Sequence, residues 1–397
     1  MAASVWNSCR SVGQKFVFAP LLRNCSQCGV SQSSKTTLRP LRDAGIQRRE
    51  LSSHANSSRT GGRWLSVGLG VAGLTAMSGA GYVTYRYRQA MSTTAEGPVT
   101  TAQCQSSPDL PPMKVTLYQY LTCPFCCKTR AFLEYYGIDF QVVEVNPLSR
   151  REISWSDYKK VPIVIVEMDG KDEKQQLNDS SVIISVLKTF MVNTHKDLDK
   201  VVSYYPVMVT QDTDGKEVRE IANRHWVMVD LETMSEEYGK RRRSEVKWRK
   251  WVDDHFVHML APNIYRSQAE ALQAFEYITN VQNFGPWEKW AAKYGGSAIM
   301  WTIAKRLKSK YQLKDDVRES LYDAANEWLK GVGKKKFMGG SQPNLADLAV
   351  YGVLSSIEDF DTFKDLMENT KMRPWYERTK KAVKSHAGAN TTHVHAP

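Results

Sequence analysis

The sequence predicts an α/β unit followed by an all-α unit, with one transmembrane helix ahead of both. Three observations carry that expectation. The strand pattern Lys114-Val-Thr-Leu-Tyr-Gln-Tyr120 runs into Cys123-Pro-Phe-Cys126, then a helical pattern, then a second strand. From Ser244 onward the chain has helical periodicity. No charged residue falls in the 22 positions between Arg63 and Arg86.

The 397 residues hold 54 Lys+Arg and 42 Asp+Glu, a net charge of +12. Residues 1–63 contain ten basic side chains against Asp43 and Glu50, so this leader carries +8 and the other 334 residues only +4. A folded part that is barely basic argues against a nucleic-acid partner. The leader is rich in Ser and Arg and poor in acid, as in a targeting or disordered segment, with the mitochondrion one possible destination. Cys25-Ser-Gln-Cys28 lies inside it with no second Cys/His pair nearby, and reads as incidental thiols. All seven cysteines fall in the first 127 residues. A disulfide-stapled secreted protein would spread them through its folded region, so a reducing compartment is expected.

Residues 64–85 are the predicted transmembrane helix. At a rise of about 1.5 Å per residue, roughly 20 residues cross the hydrocarbon core. Gly68, Gly70, Gly73 and Gly79 suit close packing in a bilayer, and Trp64, Tyr82, Tyr85 and Tyr87 supply interfacial aromatics. Orientation stays open. The basic leader favours the cytosol for residues 1–63, whereas the downstream thiols favour a reducing side for the rest. Residues 86–112 read as a linker stiffened by Pro108, Pro111 and Pro112.

Residues 113–191 form the predicted α/β unit. After the first strand and the Cys-x-x-Cys, the helix around Lys128-Thr-Arg-Ala-Phe-Leu-Glu-Tyr-Tyr136 stops at Gly137, and Phe140-Gln-Val-Val-Glu-Val145 is the next strand. That order is the opening of a thioredoxin-like unit. A helix N-terminus presents free N–H groups and roughly half a positive charge, so a thiolate there is stabilised. Cys123 stands at the entrance and is the expected activated thiol. Cys126 lies one turn in, and Cys127 points elsewhere. Val161-Pro162 precedes the strand Ile163-Val-Ile-Val166, where a cis proline is expected to face the cysteine. Asp179 or Ser180 caps the helix that holds Val182-Ile-Ile-Ser-Val-Leu187. The same free N–H groups and Asp179 offer a place for the γ-glutamyl end of glutathione.

Residues 192–243 read as a polar connecting segment, with Lys240-Arg-Arg-Arg243 a solvated face or a loop. Residues 244–385 are the all-α unit and 386–397 a tail. Asn344 and Asp347 have the spacing of a capping box, a folding device. His255 and His258 share a helix face without a third ligand, so no metal site is expected.

Further blocks carry a family resemblance. They are Leu117-Tyr-Gln-Tyr120, Thr122-Cys-Pro-Phe-Cys126, residues 135–147, Lys160-Val-Pro-Ile163, residues 176–184, Tyr204-Tyr-Pro206, Lys247-Trp-Arg249, residues 305–310, Phe337-Met-Gly-Gly340 and residues 343–352. From about Val115 to Arg378 the chain resembles the membrane-associated prostaglandin E synthase type 2 family. The resemblance implies a thioredoxin-like domain followed by a glutathione-transferase-like helical domain. It implies isomerisation of prostaglandin H2 to prostaglandin E2 by a homodimer anchored in the Golgi membrane and released in a soluble form. It also implies binding of glutathione and, dependent on it, haem. In the haem-bound form, breakdown of prostaglandin H2 to malondialdehyde and hydroxy-heptadecatrienoic acid is implied instead. Carried over by position, Cys123 is the reactive cysteine, with Tyr120, Phe125 and Cys126 in the catalytic set. Val161, Pro162, Asp179 and Ser180 are the glutathione contacts. The alternatives are a glutaredoxin-type thiol oxidoreductase, in which Cys123 and Cys126 cycle, and a non-catalytic protein that binds haem and glutathione.

Overall fold

The computed structural model describes residues 99–102, 111–170, 173–193, 195–211, 217–229 and 236–389. The expected leader and transmembrane segment lie outside them, as do Cys25 and Cys28. Among the described residues no helix is long and apolar enough to cross a membrane.

Five strands form one sheet: β1 (Val99–Ala102), β2 (Met113–Gln119), β3 (Phe140–Glu144), β4 (Ile163–Met168) and β5 (Lys174–Asn178), in the order β1-β3-β2-β4-β5. β2 and β3 are parallel, and the other pairs antiparallel. The parallel pair requires a crossover. Helix α1 (Pro124–Tyr135) supplies it, and Gly137 follows at a φ of +63°. The centre of the sheet is apolar because β2 and β4 bury Val115, Leu117, Ile163, Val164 and Val166. Strand β1 corrects the expectation that residues 86–112 are only a linker. Val99-Thr-Thr-Ala102 contains three strand formers and adds an antiparallel edge to β3.

Helix α2 (Ser180–Val192) follows β5, and α3 (Leu198–Ser203) follows α2. The segment read as a polar connection over residues 192–243 has more order than its polarity suggested. Strands β6 (Val207–Gln211) and β7 (Glu217–Ile221) pair as a two-stranded ribbon, with Val207, Met208 and Val209 exposed. Helix α4 (Glu236–Asp254) begins eight residues before Ser244. The basic run therefore lies on a helix, where Glu236 pairs with Lys240 and Glu237 with Arg241 one turn on.

The remaining helices are α5 (Leu260–Ile264), α6 (Gln268–Val281), α7 (Pro286–Ala291), α8 (Ser297–Lys310), α9 (Val317–Val332), α10 (Leu345–Ser355), α11 (Asp361–Asn369) and α12 (Met372–Lys384). Helix α10 starts at Asn344, whose side chain accepts from the N–H groups of Ala346 and Asp347 while Asp347 accepts from that of Asn344, completing the capping box. Helix α10 also packs on α1. Gly352 permits that approach, since a Cβ there would lie 2.4 Å from Lys128 Cα and 2.9 Å from the Cys127 carbonyl oxygen. The α/β part and the helical part thus share a core directly behind the Cys-x-x-Cys.

Candidate functional site

Cys123 is the N-cap of α1, with Pro124 in the first turn, where a missing N–H costs nothing. The residue is partly exposed, while Cys126 and Cys127 are buried; all three are free thiols. The Cys126 thiol donates a hydrogen bond to the Cys123 sulfur, and this lowers the Cys123 pKa most. Burial opposes it, and the N–H groups of Cys126 and Phe125 and the Arg130 charge add to the lowering. Burial and the same bond push Cys126 well above an ordinary thiol. The pair is thus split into one ionisable sulfur and one proton-bearing neighbour.

Cys127 points away, as expected. Its thiol donates to the Leu121 carbonyl at 3.2 Å, and Arg130 Nη2 lies 3.1 Å from its sulfur. Burial pushes it up to about 11.

Tyr120 is buried in a cluster with Val145, Ile153, Ile163 and Ile165, and Tyr118, Cys123, Tyr158 and Val161 pack against that cluster. Burial raises the Tyr120 pKa despite the Arg150 guanidinium, which donates to its hydroxyl, so the phenol stays protonated. Phe125, in the first turn of α1, lies with its ring centroid 5.7 Å from Lys128 Nζ. The Val161–Pro162 bond is cis.

Asp179 is the N-cap of α2. Its Oδ1 accepts from the N–H of Ser181 at 3.0 Å and of Val182 at 3.3 Å. Ser180 is the first helical residue and is buried. Asp179 has a φ of +69°, a region that a non-glycine residue occupies at some cost and that is often found at functional sites.

No local pattern points to what holds Asp179. Arg224, from the connecting segment, clamps it with two contacts, Nε to Oδ1 at 3.1 Å and Nη2 to Oδ2 at 2.9 Å. Behind them lies a buried polar network. Asp253 of α4 accepts from Lys128 Nζ at 2.5 Å and Ser181 Oγ at 2.6 Å, and contacts His225 Nε2 at 3.0 Å. Burial pushes the Asp253 carboxyl up, but Lys128, His225 and Arg224 overcome this and hold it well below the usual carboxylate range. Arg249 of the same helix donates to the carbonyls of His225 and Ser181 and to Ser185 Oγ. Tyr158 is a further addition: it packs against the Tyr120 cluster, and burial, with the Asp179 carboxylate adding to it, raises its phenol. Its only sequence signal was its place three residues before Val161.

A family profile for glutaredoxin matches residues 115–171, which hold the cysteines and the cis proline. Over 274 residues the chain is 52% identical to prostaglandin E synthase 2 of Mus musculus, covering 68% of this chain and 71% of that protein. The chain belongs to the prostaglandin E synthase 2 family. Another member, prostaglandin E synthase 2 of Danio rerio, is 50% identical over the same length and the same shares. Among solved structures, glutathione transferase F7 from Populus trichocarpa aligns over 70% of this chain and 99% of its own, at 15% identity and a TM-score of 0.39. For this family member the architecture is a thioredoxin-like unit with a mixed sheet, followed by a helical part.

Proposed function

We propose that this chain is a prostaglandin E synthase that isomerises prostaglandin H2 to prostaglandin E2 through Cys123. The observation that carries the reading is a single thiol, partly exposed at a helix entrance, with its pKa lowered and a protonated phenol beside it. The Cys123 thiolate attacks the endoperoxide oxygen on carbon 9. An S–O bond forms as the O–O bond breaks, and the oxygen on carbon 11 takes the Tyr120 proton to become the hydroxyl. Loss of the carbon-9 proton to the Tyr120 phenolate then forms the ketone and expels the thiolate. Electrons balance within the substrate, so Cys126 stays a thiol. Phe125 contributes an apolar ring in the first turn of α1, two residues from Cys123.

Glutathione is proposed as a ligand of the same site. The N-terminus of α2 at Ser180 faces its γ-glutamyl carboxylate, Asp179 its ammonium, and the backbone at Val161 and Pro162 its cysteinyl residue. Haem binding, which the family resemblance makes dependent on glutathione, would rest on the glutathione held by Val161, Pro162, Asp179 and Ser180. Among the described residues no three histidine, cysteine or acidic side chains converge as a metal site. No step above passes through haem. Homodimer formation, anchorage through residues 64–85 and a Golgi location belong to the same proposal.

The test replaces Cys123 and Cys126 separately by Ser and follows prostaglandin E2. Loss only in Cys123→Ser is expected, and full activity in that variant sinks the mechanism. The Cys126 thiol against the Cys123 sulfur favours a second reading, a glutaredoxin-type dithiol cycle. That reading requires Cys126→Ser to abolish dithiol reductase activity.

A further inference from the structure

Helices α7 and α8 are joined by a π-helical turn, Ala292–Gly296, into one continuous run from 286 to 310. Its inner face buries Glu288, Ala292, Gly296, Met300, Ala304 and Leu307. Gly296 sets the depth of that packing, because a Cβ there would come within 2.5 Å of the Phe275 ring.

The opposite face is aromatic and open. Trp287, Trp290 and Tyr294 are 61%, 69% and 50% exposed, at helical spacing. The same stripe continues to Trp301, with the ammonium of exposed Lys305 3.8 Å from its ring centroid. Tryptophan has more apolar surface to hide than other side chains, so two within four residues at this exposure form a patch that asks for a partner.

The charge around the patch says which partner. The run carries Lys289, Lys293, Lys305, Arg306, Lys308 and Lys310. Its one acid, Glu288, is buried, accepting from the Gly285 N–H at 2.6 Å and the Asn146 amide at 2.9 Å. Lys293 and Lys308 pair with Glu276 and Asp315; the other four cations have no ion pair among the described residues. Exposed Trp and Tyr on one helical run with unpaired Lys289, Lys305, Arg306 and Lys310 is the composition that settles at the interface of an anionic bilayer. The patch also stands next to the reactive end of α1, since Gln282, just ahead of the run, donates to Thr122 Oγ1 and Asn283 donates to the Glu144 carbonyl.

We propose that the outer face of residues 286–305 docks on an anionic lipid surface, with Trp287, Trp290 and Tyr294 in the headgroup layer. This contact is separate from any span at residues 64–85, and does not depend on the reaction of Cys123.

The test uses the full chain in vesicles of brominated phosphatidylcholine, alone or mixed with brominated phosphatidylserine. Wild type and the Trp287→Ser/Trp290→Ser variant are compared by tryptophan quenching. Both side chains are exposed, so an unchanged thermal midpoint checks the fold of the variant. Greater quenching on the anionic vesicles is expected in wild type, falling with added salt and lost in the variant. Equal quenching of the two proteins, or no dependence on lipid charge, overturns the proposal. So does shielding of these tryptophans from iodide that grows with protein concentration in lipid-free detergent, which assigns the face to a second copy of the chain.

Discussion

Lys128 Nζ and Asp253 Oδ1 lie 2.5 Å apart, with only 1% and 4% of their side chains exposed. The pair joins the helix that presents Cys123 to the first long helix of the C-terminal part. Ser181, His225 and Arg224 also contact Asp253, so α2 is fixed by the same carboxylate. Removing that carboxylate leaves Lys128 as a buried charge without its partner. Asp253→Ala is therefore expected to destabilise the protein by about 3–5 kcal/mol, read as a lower urea midpoint. Asp253→Asn, which keeps the shape, is expected to cost less.

The same residue sets a pH dependence. Its folded-state pKa lies well below the unfolded value of about 3.9. Its contribution is therefore complete above the unfolded value and is lost as pH falls through the folded one. Urea midpoints taken from neutral to strongly acidic pH are expected to show this loss in wild type and its absence in Asp253→Asn. Equal acid sensitivity of the two proteins contradicts the assignment.

The Cys123 sulfur is expected to alkylate with iodoacetamide along a pH curve whose midpoint lies below that of an ordinary thiol. The Cys126 hydrogen bond is the largest cause of the lowering, so Cys126→Ala is expected to move the midpoint upward. Prostaglandin E2 formation is expected to decline on the acid side with the same midpoint. An unshifted curve in Cys126→Ala shows that the bond does not control the thiol.

Arg224 gives a prediction for ligand affinity. It holds Asp179 by two parallel contacts. Arg224→Gln is expected to weaken glutathione binding by about 1.5–3 kcal/mol, the range for a hydrogen bond to a charged group. Arg224→Lys is not expected to restore it, because an ammonium cannot make the forked contact. Calorimetric titration with glutathione checks both, and undiminished affinity in Arg224→Gln refutes the role.

Gly352→Ala tests the seam between the two parts. The added carbon meets backbone atoms of Lys128 and Cys127, which cannot swing aside as a side chain would. A loss of about 1–3 kcal/mol is expected from overpacking. Slower alkylation of Cys123 is expected with it, as α1 shifts. Wild-type stability in this variant shows that the helices separate without cost.

Much of the fold and part of the site are legible in the sequence. The strands around the Cys-x-x-Cys, the stop at Gly137, the Asp179 cap and the Asn344/Asp347 box are local matters. Each is fixed by residues a few positions apart, through periodicity, φ preference or a side chain reaching its own backbone. The cis proline is expected only by analogy with thioredoxin-like folds. Polar strands were harder to see. β5 is Lys-Gln-Gln-Leu-Asn, and only its pairing with β4 makes it a strand. The start of α4 was hidden for a similar reason, because a run of Glu, Lys and Arg has no apolar period to betray a helix.

By itself, the sequence determined which sulfur stands at a helix entrance and which segments fold around it, because both follow from short-range order along the chain. Tertiary structure alone decided that Lys128, Ser181, Arg224, His225 and Asp253 meet. Arg224 lies 45 positions from Asp179, and Asp253 lies 125 from Lys128. No local pattern encodes such pairings, since a buried charge can be identified only once the surfaces that exclude water from it are in place.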